Sequence, residues 1–202
     1  MIRTGTTKEK LLAAALELIW RNSYGATSVD HLCAEAGVVK GSFYHFFKSK
    51  SELAVAALDA EWRERQSLMN AIFSPLVPPL ERFKRLFAWG LEEQTRLLAE
   101  RGCVVGCPWF SLGSEICTQD ENIRQWIAHA LADCTKYYET AIRDAQAAGL
   151  LAVSDPGPAA KVVQQYIHGA LMEARIENSL APIAGLEAGV NRILGVRDLV
   201  AN

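Results

Sequence analysis

Residues Thr27–Lys50 read TSVDHLCAEAGVVKGSFYHFFKSK, and the rest of the chain takes its meaning from this stretch. Val29, Leu32, Cys33 and Ala36 recur at helical spacing, and Gly37 then supplies the residue for which a left-handed backbone is cheap. A second short helix follows, from about Val39 to Phe46. No acidic residue occurs from Val38 to Ser51, whereas Lys40, Lys48 and Lys50 do. In a chain whose formal net charge is -2, two short helices with a tight turn and a basic, aromatic flank make a local surface for a polyanion, DNA above all.

Outward from that stretch the helical period continues and alternating β-branched runs are absent. Thr6 with Glu9 forms a capping box that opens a first helix, in which Leu12, Leu16, Ile19 and Trp20 share a face. Tyr24-Gly25 ends it, and Thr27 with Asp30 caps the next helix. Ser49 with Glu52 opens a long helix over 49–72. Pro75, Pro78 and Pro79 break the pattern before a helix from about Leu80 to Glu100. Gly102, Gly106 and Pro108 interrupt again ahead of a short helix near Trp109–Cys117. From Asp120 a stripe of Ile123, Ile127, Leu131, Cys134, Tyr138, Ile142 and Ala145 runs to Gly149. Asp155-Pro156 starts a helix whose apolar band is Val162, Val163, Tyr166, Ile167, Ala170, Leu171 and Ala174, and Pro182 precedes a last helix to about Leu194. The expected fold is all-α with about nine helices. A three-helix helix-turn-helix domain occupies 1–50, and a helical effector-binding and dimerisation domain occupies 51–202, joined through the long helix.

Bulk composition agrees. At 202 residues, half of them hydrophobic and 22% charged, the chain can bury a proper core and is globular. Residues 1–52 hold seven basic and five acidic side chains, leaving 14 basic and 18 acidic ones for the remainder. The result is a basic head on an acidic body. Leu11–Trp20 has the look of a secretory core, but Glu17 interrupts it, Arg21 follows at once and no cleavage site appears. No run approaches the roughly 18 apolar residues of a membrane span, so a cytoplasmic protein is expected. Five cysteines are an odd number without an export signal, which argues against a disulfide framework.

Within the head, Lys40, Gly41, Ser42, Tyr44 and His45 are the candidate groove-reading residues. Gly41 and Ser42 are small enough to admit the backbone to a duplex, and Ser42, Tyr44 and His45 carry hydrogen-bonding groups. Phe43 and Phe46 are expected to anchor the helix to its own core. Lys50, beside the N-terminus of the long helix, and Thr27 and Ser28, at the start of the second, are candidate phosphate contacts. An ordinary three-helix packing motif with solvated charges is the plain alternative.

The run Thr27–Ala36, Gly37-Val38, Lys40 to Phe47, Ser49-Lys50 and Leu53 resembles the N-terminal domain of TetR-type transcriptional repressors. The resemblance is strong over about Thr7–Leu58 and architectural beyond. One departure is Val39, where the family commonly has Ser or Thr; valine cannot cap, which costs about 1 kcal/mol of local helix stability. The resemblance implies a homodimer, joined through the last two helices, that binds a palindromic operator with its reading helices roughly 34–36 Å apart. Small Gly169, Ala170 and Ala174 are compatible with close helix packing there.

A regulator body needs a cavity for a small-molecule effector. Candidate lining residues are Trp89, Cys103, Cys107, Trp109, Phe110, Trp126, Tyr137, His168 and Met172, against the alternative that they fill the core. Cys103 and Cys107 lie in a loop where backbone N–H groups and Arg101 could activate a thiol, so a thiol-based sensor of electrophiles or oxidants stays open. Neither metal nor cofactor is expected: the Cys-x3-Cys pair has no second ligand pair at zinc spacing, and no phosphate loop or nucleophile motif occurs. Glu115 and His168 could meet in a cavity, but catalysis is not expected. A ligand-binding helical protein without specific DNA binding is the competing class.

Overall fold

The computed structural model describes residues 5–21 and 23–197; for Trp20 the side chain lies outside that description, so its place on the first helix's face does too. Ten helices and no strand occur among the described residues: α1 (Thr7–Arg21), α2 (Val29–Ala36), α3 (Lys40–Phe46), α4 (Lys50–Ile72), α5 (Pro79–Arg101), α6 (Pro108–Ile116), α7 (Glu121–Ala147), α8 (Pro156–Glu177), α9 (Ala181–Ala184) and α10 (Leu186–Leu194). The tenth arises because the expected last helix is two pieces, divided at Gly185, which ends one and starts the other.

They form two compact units, with α4 and α7 each contributing to both. The first comprises the described residues up to Gln66 with Pro108–Ala130; the second comprises Ser67–Cys107 with the described residues from Leu131 on.

In the first unit, α1 opens on the expected box: Glu9 N–H donates to Thr6 Oγ1 (3.3 Å) and Thr6 N–H to Glu9 Oε2 (2.7 Å). Its buried face is Leu11, Ala14, Ala15 and Leu18, one position away from the expected Leu12, Leu16 and Ile19, which are half-buried. The segment LLAAALELIW is apolar nearly all round, so small alanines, which permit close helix approach, decide the face. Leu11, Ala15 and Leu18 close on Leu32, Cys33, Phe43, Phe47, Leu53 and Ala57 to form the head's core. Gly37 adopts φ 63° at the end of α2, where its N–H returns to Ala34 O, and Val38 N–H returns to Cys33 O. At α4, Ser49 Oγ accepts Glu52 N–H (3.1 Å), while the Glu52 carboxylate accepts Lys48 N–H (2.7 Å).

In the second unit, Phe73, Phe83, Phe87 and Tyr138 pack ring against ring. Arg82 is buried beside them, donating to Val77 O (2.9 Å) and to the Asp144 carboxylate (2.6 Å), so its charge is matched. Asp155 caps α8 by accepting Gly157 N–H. The apolar band expected on α8 proves wider than one face. Val163, Ile167, Ala170 and Ala174 point inward, whereas Val162 and Tyr166 are exposed. No described helix is long and apolar enough to cross a membrane.

Candidate nucleic-acid interface

The two faces of α3 separate cleanly. Phe43 is 0% exposed and Phe47, one helical turn on, is likewise buried, which fixes the inward side. Phe46, expected as a second anchor, is rotated to the rim and partly exposed; its ring lies edge-on to His45 at 4.7 Å. Tyr44 stands outward at 55% exposure, steadied by an edge-on contact with Phe43 (5.1 Å). His45 is exposed beside it, and Ser42 is half-buried. A side chain at Gly41 would meet nothing within 4 Å, so the chain's own packing does not require glycine there. What glycine leaves is open space on the face where Tyr44 and His45 stand.

Val39 is the N-cap of α3 and makes no side-chain cap bond, as its chemistry dictates. The cap of α2 differs from expectation. Ser28, not Thr27, does it: Ser28 Oγ accepts His31 N–H (3.1 Å), and His31 Nδ1 accepts Ser28 N–H (3.4 Å). Thr27 is 2% exposed and donates its hydroxyl to Ser23 O (2.8 Å), which withdraws it from the outward set. Its methyl fits a buried position better than serine would.

The lysines differ among themselves. Lys40 is exposed and paired with Asp30 (2.9 Å), an ion pair that holds its ammonium strongly protonated. Lys48 is exposed. Lys50 is turned inward: its Nζ donates to Tyr24 O and Thr27 O (2.8 Å each) and lies 4.0 Å from the centre of the Tyr24 ring. Burial there pulls its pKa down. Two of its three donors are thus taken by the head's own backbone.

Glu115 and His168 belong to different units, each with partners inside its own. Glu115 reaches the turn after α1, whereas His168 Nδ1 lies 2.9 Å from Gln164 O and burial lowers its pKa, favouring the neutral ring. Nothing local in the sequence marks Glu115, because its partners are 90 and 91 residues away.

The expected effector residues divide. Trp109, Phe110 and Trp126 belong to the first unit; Trp89, Cys103, Cys107, Tyr137, His168 and Met172 belong to the second. Trp109 is buried, donates Nε1–H to Glu61 (2.6 Å) and lies edge-on to Trp62 and Trp126 at 5.2 and 5.7 Å. Phe110 instead faces outward. Trp62 and Trp126 also line an open groove of about 880 Å³ between α4 and α7, with Val55, Ala56, Asp59 and His129. In the second unit Tyr137 packs on Phe73 (5.5 Å). Cys103 is exposed and Cys107 half-buried. Three of the loop's N–H groups are already engaged: Val104 N–H donates to Asn178 Oδ1, and Val105 and Gly106 N–H to Gln94 Oε1. Those three donors are therefore not available to a thiolate. Among the described residues no cluster of three or more His, Cys, Asp or Glu could hold a metal ion.

Comparison with known proteins gives the family. Residues 11–57 match the model of the bacterial regulatory proteins of the tetR family, and residues 79–189 match the tetracyclin repressor-like C-terminal domain. The chain belongs to the TetR family and is a DNA-binding transcriptional regulator. It is 30% identical to an HTH-type transcriptional regulator in the lacX 3' region of Lactococcus lactis subsp. lactis, over 86% of each chain. It is 29% identical to the transcriptional regulator AcuR of Cereibacter sphaeroides, over 84% of this chain and 76% of that one. The crystal structure of a regulatory protein TetR from Rhodobacter sphaeroides has a TM-score of 0.83 at 26% identity, covering 94% of this chain and 99% of the other. Reduced NemR from E. coli has a TM-score of 0.81 at 23% identity, covering 96% and 99%, a likeness of fold.

Proposed function

We propose that the protein is a homodimeric cytoplasmic repressor that binds a palindromic operator and leaves it when a small-molecule effector binds. It acts without catalysing a reaction. One observation carries the DNA-reading part: Phe43 is wholly buried while its neighbour Tyr44 is the most exposed aromatic of α3. A helix so anchored offers Tyr44, His45 and Ser42 to a groove, with Gly41 admitting close approach and Lys40, Lys48 and Ser28 toward phosphates. Lys50 keeps one donor for a phosphate and spends two on the head. Residues 1–50 do the reading, and 51–202 sense and dimerise.

The dimer contact falls on α8 and α10. Val162 and Tyr166 are exposed one turn apart on α8, and Tyr166 lies so close over Gly189 of α10 that a side chain there would overlap its ring. Of the three small residues expected to pack against a partner, Ala170 and Ala174 are used in the chain's own core, leaving Gly169. The groove between α4 and α7 has the size of a ligand site, and its two indoles favour a flat, mostly apolar effector. A gel shift with the intergenic DNA upstream of the gene tests the reading. Specific retardation that Tyr44→Ala removes supports it; retardation equal on any duplex refutes it.

A second reading, thiol sensing at Cys103 or Cys107, is favoured by the exposure of Cys103 on the loop after α5. Accessibility carries it, since the neighbouring backbone donors are occupied. A Cys103→Ala/Cys107→Ala double variant that still releases DNA with oxidants and electrophiles removes this branch.

A further inference from the structure

The turn after α1 is held from two sides within the first unit. Glu115, near the end of α6, accepts Tyr24 N–H on Oε2 (3.1 Å) and Gly25 N–H on Oε1 (2.7 Å). Asp120, just before α7, accepts the Tyr24 hydroxyl on Oδ2 (3.4 Å). Its other oxygen accepts the Ser51 hydroxyl (2.9 Å) and Ile123 N–H (3.1 Å), so one carboxylate joins the α1 turn, the start of α4 and the cap of α7. Lys50 grips the same turn through its carbonyls.

Two consecutive N–H groups on the two oxygens of one carboxylate fix an angle as well as a distance. Burial and the Asp120 charge push the Tyr24 pKa up to about 12, so its hydroxyl is a lasting donor. Neither acid is on the outward face of α3, and a carboxylate repels phosphate. Contact with DNA therefore does not explain them, but orientation of the head does.

We propose that Glu115 and Asp120 are positioning residues that set the orientation of α1–α3 on α6 and α7, and thereby the half-site spacing the dimer accepts. The proposal rests on the reading of a dimer on a two-half operator. One inserted base pair turns a half-site by about 35° and moves it about 3.4 Å, so a rigidly oriented head rejects it and a loosened head follows it.

The test uses the full-length protein and a duplex selected from a random pool by the wild type. Versions of that duplex carry one base pair added or removed between the half-sites. Wild type is expected to discriminate steeply between spacings. Glu115→Gln keeps the volume but turns one acceptor into a donor facing an N–H, and Asp120→Ala removes the acceptor of the Tyr24 hydroxyl, the Ser51 hydroxyl and Ile123 N–H together, since an asparagine amide could still donate to the Tyr24 oxygen. Each is expected to shrink the discrimination by about tenfold, with Tyr24→Phe doing less because its bond is long. Amide exchange at Tyr24 and Gly25 should quicken in Glu115→Gln. Equal weakening at every spacing, or unchanged discrimination despite quickened exchange, overturns the proposal. Should Glu115→Gln fail to fold, Asp120→Ala and Tyr24→Phe decide on the same ratio. A wild type indifferent to spacing would sink the operator reading, and this proposal with it.

Discussion

Two helices of this chain, α3 and α8, both turn large side chains to the outside, and the chemistry of the two surfaces differs. On α3 the exposed groups are Tyr44, His45 and the rim of Phe46, next to Lys40 and Lys48 and without an acid from Val38 to Ser51. On α8 they are Val162, Tyr166 and Ile176, the last 77% exposed. The first surface offers hydrogen bonds and positive charge to a hydrated polyanion. The second sets hydrocarbon among the exposed Lys161, Gln165, Glu173 and Glu177, and its apolar part gains by meeting hydrocarbon. Exposure alone therefore does not name a partner; the atoms exposed do.

That contrast can be broken most forcefully from the inside of α3. Phe43→Ala should cost about 3–5 kcal/mol of stability, seen as an early thermal transition of the head with operator binding lost as a consequence. Val162→Asp should weaken the dimer next, by about 3 kcal/mol, because a two-fold contact counts the substitution twice. Sedimentation would show monomer while the helical circular dichroism stays intact. Tyr44→Ala, one residue from Phe43, should leave stability within about 0.5 kcal/mol. Its effect falls on DNA, about 1–3 kcal/mol of operator affinity in a titration. Smallest is Val39→Ser, which supplies the missing cap of α3 and should stabilise the head by about 1 kcal/mol in urea.

What was legible in the sequence follows the range of the interactions. Thr6 with Glu9, Gly37 at the left-handed position, and Pro79 and Pro156 at helix starts act within four residues, and helices begin or end where they lie. Errors arose where neighbours compete for one role. Thr27 and Ser28 are both hydroxyls able to cap α2, and burial of the threonine settled it. Phe46 and Phe47 flank the position one turn from Phe43, and of the two Phe47 is the buried one. Nothing short-range could show that Lys50 would turn to Tyr24 O and Thr27 O, or that Glu115 would reach across 90 residues to Gly25. The expected effector residues are bulky or polar, traits that core and ligand contact share, and they fall in two units.

The most direct test of the central claim measures binding of the wild-type protein to a selected duplex and to a scrambled one across a series of salt concentrations. Sequence-specific recognition predicts preference for the selected duplex by about a thousandfold or more. It also predicts a log–log salt slope of about -0.9 for each phosphate neutralised. Equal affinity for both duplexes, or affinity indifferent to salt, would contradict it.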